Sequence, residues 1–436
     1  MPTLSVVMIV KNEAECLDEC LASISGIADE IVIGDTGSTD TTVAIAEWHR
    51  ARVFSIPWND DFAEARNAVL QQATGDWLLH LDADEVLDAG NARRIRELVD
   101  ADGEGADAIG VTLANYSDDP RAWRWVPCHA DHAHARGHAG FIAVELLRLF
   151  RNRPDFVYRE PVHESITESV LAAGGAVRTE AVIIHHYGYA GCDANSDKAK
   201  RYLEIERRKV QERSDDPKAW LDFAEQLLAM GDTDEAEAAC RAALELDRDN
   251  VSAATSLANI LCNRGDLDEA RGIFERFVER GGALPHMIMT LGAIACRQGR
   301  LEEGRRYLEV ALEHAPDSVM TRLCYARTLD LSGNAFAARK ELCTALETAP
   351  SLQETQNRIE AHRRRSEAES ELAQNRPRQA LAILVEALRL DSEDPLIHHA
   401  LGETLHLLGR EERAQQSFER ARRLAPVYHV RSARAN

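Results

Sequence analysis

Residues 77–86 read WLLHLDADEV. Trp77, Leu78, Leu79 and Leu81 give the run the apolar character of a buried strand. Two carboxylates, Asp82 and Asp84, follow with only Ala83 between them. A buried strand that ends this way sets hard oxygen ligands at a sheet edge. Such oxygens suit Mg²⁺ or Mn²⁺, ions that usually arrive with substrate phosphates. Short acidic turns are common on surfaces, so the pair takes its meaning from its surroundings.

Upstream, strand-like and helix-like segments alternate. Leu4–Val10 is an apolar run, and a helical pattern follows from about Ala14 to Ser25. Glu30–Gly34 is a second strand, with a turn through Asp35, Gly37 and Asp40 leading to a helix near Thr41–His49. Arg52–Ile56, the helical Phe62–Ala73 and Trp77–Leu81 complete the series. Strands separated by helices predict a parallel, doubly wound, Rossmann-like sheet. Ligands bind such sheets outside the carboxyl ends of the strands. Lys11, Asn12, Asp35, Asp82 and Asp84 all fall at those ends, where Lys11 and Asn12 could line a pocket. Asp40 reads as a helix N-cap, and Glu13 as an acid that helps start the following helix.

From about residue 217 the pattern is helical only, and it repeats. Gly231, Gly265, Gly299 and Gly333 recur at a fixed interval, each followed by a small residue (Ala236, Ala270, Gly304, Ala338). After an insertion the register resumes at Asn375 and Gly409, with Ala380 and Ala414 in the small-residue place. Pro316, Pro350 and Pro426 close units. A period of about 34 residues with this pattern resembles tetratricopeptide repeats, here about six. Small residues let paired helices approach, and the glycine ends the first helix of each pair. The expected division is a sheet domain over 1–190, a charged helical connector over 191–216, an all-α solenoid over 217–428 and a tail over 429–436.

The chain has 436 residues and a formal net charge of −22, which argues against a general nucleic-acid binder. No apolar run is long enough for a membrane-spanning helix. The N-terminus reads as a first strand and lacks the basic start of a signal peptide. Nine scattered cysteines fit a reduced, cytoplasmic protein. Five of them, Cys240, Cys262, Cys296, Cys324 and Cys343, read as small core residues of helices. The segment 128–138 carries Cys128, His129, His132, His134 and His138. Its spacing matches no common zinc pattern, so a polar loop on the acceptor side is favoured over a metal site.

The strings MIVKNE, EIVIGDTGSTD, DDFAEARN, TGDWLLHLDADE, VHESI and HHYGY occur in that order. Together they resemble the family 2 glycosyltransferases of GT-A fold that carry C-terminal tetratricopeptide repeats. That group includes bacterial protein and peptide glycosyltransferases, some acting on a peptide cysteine. The resemblance covers nearly the whole chain. It implies a nucleotide-sugar donor, with Asp35 on the uracil ring, Arg66 and Asn67 facing the nucleotide, Asp82 on the ribose and Asp84 on a Mn²⁺ or Mg²⁺ ion. The competing readings are an Asx-turn for Asp35 and a snorkelling surface side chain for Arg66. Glu85 is either an acid behind the site or solvated.

A histidine could complete the ion's ligands. His185 and His186 follow the strand-like Ala181–Ile184, and strand alternation lets only one face the site. His186 is the choice. An inverting transferase needs a base on the acceptor side. Glu164 is the candidate and His163 the runner-up, against an ion pair of Glu164 with Arg148, Arg151 or Arg159. A thiol acceptor lowers that demand.

No G-x-G-x-x-G follows the first strand, which weighs against a dinucleotide oxidoreductase. Membrane synthases of the same family carry Gln-x-x-Arg-Trp, whereas Arg121–Trp125 reads RAWRW and comes too soon after Asp84. The expected function is a metal-dependent, inverting transfer from a UDP-sugar to a protein or peptide presented by the solenoid. One alternative is a surface-glycan or lipid-linked acceptor, with the repeats serving homo-oligomerisation or docking. A second is a non-catalytic scaffold.

Overall fold

The computed structural model describes residues 1–122, 124–128, 132–188 and 197–425. Trp123, His129, Tyr189, Asn195, Pro426 and the tail 429–436, named above, lie outside the described residues.

The chain opens with β1 (Leu4–Val10), α1 (Leu17–Ile24), β2 (Glu30–Asp35), α2 (Thr42–Trp48), β3 (Arg52–Ser55), α3 (Phe62–Leu70) and β4 (Trp77–His80). Next come β5 (Glu85–Val86), α4 (Ala89–Asp100), β6 (Ala108–Ser117), β7 (Trp125–Pro127), β8 (Gly140–Arg151), α5 (Thr167–Ala172) and β9 (Val177–His186). The main sheet runs β3-β2-β1-β4-β8-β6-β9-β5. Its first four strands are parallel, as the alternating pattern predicts. The rest departs from the expected all-parallel sheet. β8 runs antiparallel to β4, and β5 antiparallel to β9, so the sheet is mixed. The strands after Asp84 are not reached through helical crossovers alone, which frees them from the parallel rule.

Alternation along β1 feeds two cores. Leu4, Val6, Met8 and Val10 pack with α1 and α4, while Val7 packs with Ala63, Ala65 and Val69 of α3. Each fully buried aliphatic side chain is worth roughly 1.5–3 kcal/mol. Both faces are covered, and the polar strand ends are left as the place for chemistry.

The helical part comprises α6 (Asp197–Glu212), α7 (Pro217–Met230), α8 (Thr233–Leu246), α9 (Val251–Arg264), α10 (Leu267–Glu279), α11 (Pro285–Arg297) and α12 (Leu301–His314). It continues through α13 (Val319–Leu331), α14 (Ala335–Thr348), the longer α15 (Gln353–Ala373), α16 (Pro377–Leu390), α17 (Pro395–Leu407) and α18 (Glu411–Leu424). The predicted punctuation is present: Gly231, Gly265, Gly299, Gly333 and Gly409 have positive φ, and so does Asn375. The small residues sit at zero or near-zero exposure, among them Ala236, Ala270, Ala338 and Ala380. At Gly304 a methyl group would fall 2.3 Å from Cys296 Sγ, so α11 and α12 approach only because both sides are small. Cys240 and Cys296 are buried as expected, Cys262 and Cys324 are half-buried, and Cys343 is exposed, against the expectation of a core residue.

Contacts divide the chain into two compact units, Met1–Ser117 with Phe141–Leu246, and Asp118–Gly140 with Asp247–Asn436. This differs from boundaries at 190 and 216, for a physical reason. Lys209 of α6 pairs with Asp222 of α7 at 2.6 Å and with Glu160 at 3.4 Å, and Arg213 also pairs with Glu160. α6, α7 and α8 therefore belong with the sheet. In the second unit, Trp125 and Ala139 pack into a cluster with Val319, Leu323, Ala326 and Leu342.

Candidate active site

The ends of β1, β2 and β4 open on a pocket of about 640 Å³. Its polar lining includes Lys11, Glu13, Thr36, Arg66, Asp82, Asp84 and His186. Ile9, Val10, Trp58, Phe62 and Tyr202 supply apolar surface.

Asp82 and Asp84 part company in the turn between β4 and β5. Asp82 is gripped from behind. Arg66 Nη2 donates to its Oδ1 at 3.0 Å, Arg148 Nη2 to its Oδ2 at 3.4 Å, and His80 Nε2 lies 3.3 Å away. Burial alone would raise its pKa, but Arg66, His80 and Arg148 outweigh that and hold Asp82 well below the usual carboxylate range. His80 is buried, and burial, with Arg148 and Arg66 beside it, depresses its pKa well below normal. The ring also meets the Tyr158 hydroxyl at 2.6 Å.

Asp84 faces His186. Asp84 Oδ2 and His186 Nε2 are 3.1 Å apart, and His186 Nδ1 meets the Asn115 side chain. Burial lowers the His186 pKa, and the Asp84 carboxylate beside it more than restores it, so the net shift is upward. Alternation along β9 sends His185 the other way, where Nδ1 meets the Tyr116 hydroxyl at 2.9 Å. Gly188 completes the corner: a Cβ there would stand 1.9 Å from Asp84 Oδ2 and 3.1 Å from His186 Nε2. A carboxylate oxygen and an imidazole nitrogen converging beside a cradle that a methyl group would fill are a fitting donor set for Mn²⁺ or Mg²⁺.

The remaining expectations separate. Lys11 is exposed at the pocket. Asn12, at φ 57°, spends its backbone N–H on Ser38 Oγ and its side-chain oxygen on the Thr39 N–H, so it braces the turn after β2. Asp35 accepts the N–H of Ser38, three residues on, at 3.0 Å, a bond that helps shape the turn after β2. Asp40 accepts from the Thr42 N–H at the start of α2. Arg66 is buried and paired, not a snorkelling surface side chain. Asn67, one residue on, bonds the Tyr158 backbone through both amide ends (2.9 and 2.8 Å) and does not line this pocket. A helix turns 100° per residue, so adjacent residues cannot share the face. Glu164 accepts from Arg66 Nε at 2.6 Å, so its ion-pair partner is Arg66 rather than Arg148, Arg151 or Arg159. His163, at φ 54°, is exposed and does not line the pocket. Glu85 is not solvated: it is buried, bonded to Arg148 at 2.7 Å, and burial lifts its pKa to about 7. His138 pairs with Asp118 at 3.2 Å, and the rings of His132 and His134 lie edge to face.

Sequence reasoning missed His80, Arg148 and Tyr158. His80 had a signal, since it stands two residues before Asp82 on the same strand face. Arg148 and Tyr158 are single residues in strings without pattern and had none.

Sheet topology and an acid-tipped fourth strand define a mixed α/β domain with its pocket at the strand ends. The sequence profile of Glycosyl transferase family 2 matches residues 5–166, and that of the tetratricopeptide repeat matches 227–282 and 371–436. The chain thus carries a family 2 glycosyltransferase domain followed by tetratricopeptide repeats. A TPR repeat-containing protein of Synechococcus elongatus, Synpcc7942_0270, is 36% identical over 195 residues, 43% of each chain. The SPbeta prophage-derived glycosyltransferase SunS of Bacillus subtilis is 25% identical over 239 residues, 54% of this chain and 51% of its own. A glycosyltransferase of Rickettsia felis is 39% identical over 92 residues, 20% of this chain and 30% of its own. The chain spans about half the length, or less, of these relatives. Among the described residues no helix is long and apolar enough to cross a membrane.

Proposed function

We propose that this protein is an inverting, metal-dependent glycosyltransferase that moves a sugar from a UDP-linked donor to a side chain of a protein or peptide held by the repeats. The observation that supports it is the opposition of Asp84 and His186 at one end of a pocket that also holds Asp82 and Lys11. Asp84 and His186 would hold Mn²⁺ or Mg²⁺, which when bound stabilises charge on the leaving diphosphate. Lys11 adds a second positive charge for the phosphates. Asp82, locked by Arg66 and Arg148, is a preorganised acceptor for a ribose hydroxyl. Asp35 has acceptor capacity beyond its bond to Ser38 and would take the uracil N–H. Asn67 acts from behind, by fixing Tyr158.

Glu164 is committed to Arg66, and His163 lies off the pocket, so neither is well disposed as a strong base. A cysteine acceptor, whose thiol loses its proton far more readily than a hydroxyl, suits such a site. The weak similarity to SunS makes a peptide the first acceptor to try. Repeat arrays offer long surfaces for extended chains, which would raise the acceptor's effective concentration at the sugar.

The test is intact-mass analysis of cysteine- and serine-containing peptides incubated with the full chain, a panel of UDP-sugars and Mn²⁺. A hexose or N-acetylhexosamine adduct that requires Mn²⁺ supports the reading. Transfer only to saccharides would move the acceptor to glycans, and no transfer, no donor hydrolysis and no UDP binding would leave a scaffold.

A further inference from the structure

The pocket has two chemically distinct ends. One is the acid corner of Asp84 and His186. At the other, Trp58 of the loop after β3 meets Phe62 edge-on, with ring centroids 4.7 Å apart. Phe62 in turn meets Tyr202 at 5.8 Å. Two of these rings lie next to the sheet's first four strands, but Tyr202 comes from α6, beyond the residues that match the glycosyltransferase profile. Half-buried aromatic side chains lining a pocket have a use when a flat, partly apolar ring must be held.

α6 is fixed in this position at both ends. Near its start, Arg201 pairs with Asp60 at 2.6 Å, two residues from Trp58. Near its end, Lys209 and Arg213 pair with Glu160, while Lys209 and Arg207 reach Asp222 of α7 and Glu235 of α8. Phe62 is held to the same loop, since its N–H donates to the Pro161 carbonyl at 2.9 Å. The Tyr202 ring is thus carried by a helix tied both to the pocket loops and to the first helical pair.

We propose that Tyr202 is a specificity-determining residue of the donor pocket: with Trp58 and Phe62 it forms an aromatic end-wall, supplied in part by the connector helix, against which the base of a nucleoside diphosphate packs. This rests on the glycosyltransferase reading and adds to it the element that grips the base. The strand order places the wall sensibly. β3, which leads to Trp58, and β4, which leads to Asp84, are separated by β2 and β1. With strands about 4.8 Å apart, the two ends differ by roughly 14 Å. That is about the reach from a base to the far phosphate of a nucleoside diphosphate.

Calorimetry on the full chain tests it, with UDP, UMP and inorganic pyrophosphate as probes in the presence of Mn²⁺. Tyr202→Ala should weaken UDP and UMP by about tenfold and leave pyrophosphate unchanged. Tyr202→Phe, which keeps the ring, should bind UDP within about twofold of the parent. Trp58→Ala should show the same base-dependent loss as Tyr202→Ala, so the reading does not hang on one variant. If Tyr202→Ala binds UDP as the parent does, or loses pyrophosphate equally, the wall is not a base site although the donor pocket stands. If the parent chain binds none of the three, both this inference and the transferase reading fall.

Discussion

The sheet unit and the repeat unit both bury charged side chains, and to different ends. Behind the pocket, Arg66, Arg148 and His80 converge on a single acid, Asp82, whose side chain remains 32% exposed toward the pocket. In the repeats, Arg365 pairs with Asp330 at 2.7 Å, His362 Nε2 stands 3.6 Å from the same carboxylate, and the Arg365 and Asp330 side chains are at least nine-tenths covered. One arrangement spends its positive charge on a carboxylate that a ligand can still reach. The other keeps its shared acid, Asp330, covered and joins α13 to α15. Converging buried charge is evidence for a site only where one member is left open, because closed networks also perturb pKa values.

The contrast is broken most directly at Asp84. Asp84→Ala should reduce transfer about a hundredfold or more, by removing a preorganised contact at the leaving group. It should leave the melting of the repeats unchanged, since Asp84 belongs to the sheet unit alone. Initial rates with a UDP-sugar, alongside circular dichroism melts, read both. Wild-type turnover in the variant would move the metal site elsewhere.

Gly188→Ala sharpens the same point without touching a ligand. The added Cβ would sit 1.9 Å from Asp84 Oδ2, so the carboxylate must turn or the chain retreat. Mn²⁺ affinity, followed by the electron paramagnetic resonance signal of free Mn²⁺, should fall about tenfold or more. Unchanged affinity would show that the corner of Asp84 and His186 is not where the ion sits.

A smaller effect is expected on the other side of the comparison. Ala345 is fully buried among Leu323, Ala326 and Leu342. Ala345→Leu should cost about 1–3 kcal/mol by overpacking and lower the repeats' unfolding midpoint. UDP affinity should stay at the parental value. A variant as stable as the parent would mean the helices are not held as close as the small-residue pattern implies.

These differences explain what could be read from the chain. The repeats are a local grammar: one glycine or asparagine, one small residue, a fixed interval. The first four strands are legible for a similar reason, because each is a short apolar run with its own turn. The strand order beyond Asp84 is not, since β8 inserts between β4 and β6 through pairings distant in sequence. The pocket was half legible. Residues at strand ends, such as Asp82, Asp84 and Lys11, follow from topology. Their support does not: Arg66 meets an acid 98 residues away in Glu164, and Arg148 one 63 residues away in Glu85. Asn67 does not line the Asp84 pocket, because it turns to the Tyr158 backbone while Arg66 beside it turns to Asp82.

The smallest effect concerns α6, which lies in the sheet unit yet is built like the closed charge clusters of the repeats. Glu206 is fully buried, neither of its carboxylate oxygens has a hydrogen-bond partner, and Lys209 Nζ stands 3.7 Å away. Burial lifts its pKa to about 7 although Lys209 opposes the shift, with Asp222 and Lys218 the other charged groups facing it. The folded value therefore lies above the ordinary 4.5. Stability from this group is fully present below about pH 4.5 and is lost as pH rises through about 7. Glu206→Gln, neutral at every pH, should match the parent near pH 5 and exceed it by a few degrees in Tm at pH 8. Melting curves of both proteins from pH 5 to 8 measure the gap. A constant gap would mean that Glu206 is charged throughout and that α6 is held by a fully ionised cluster with Lys209 and Asp222.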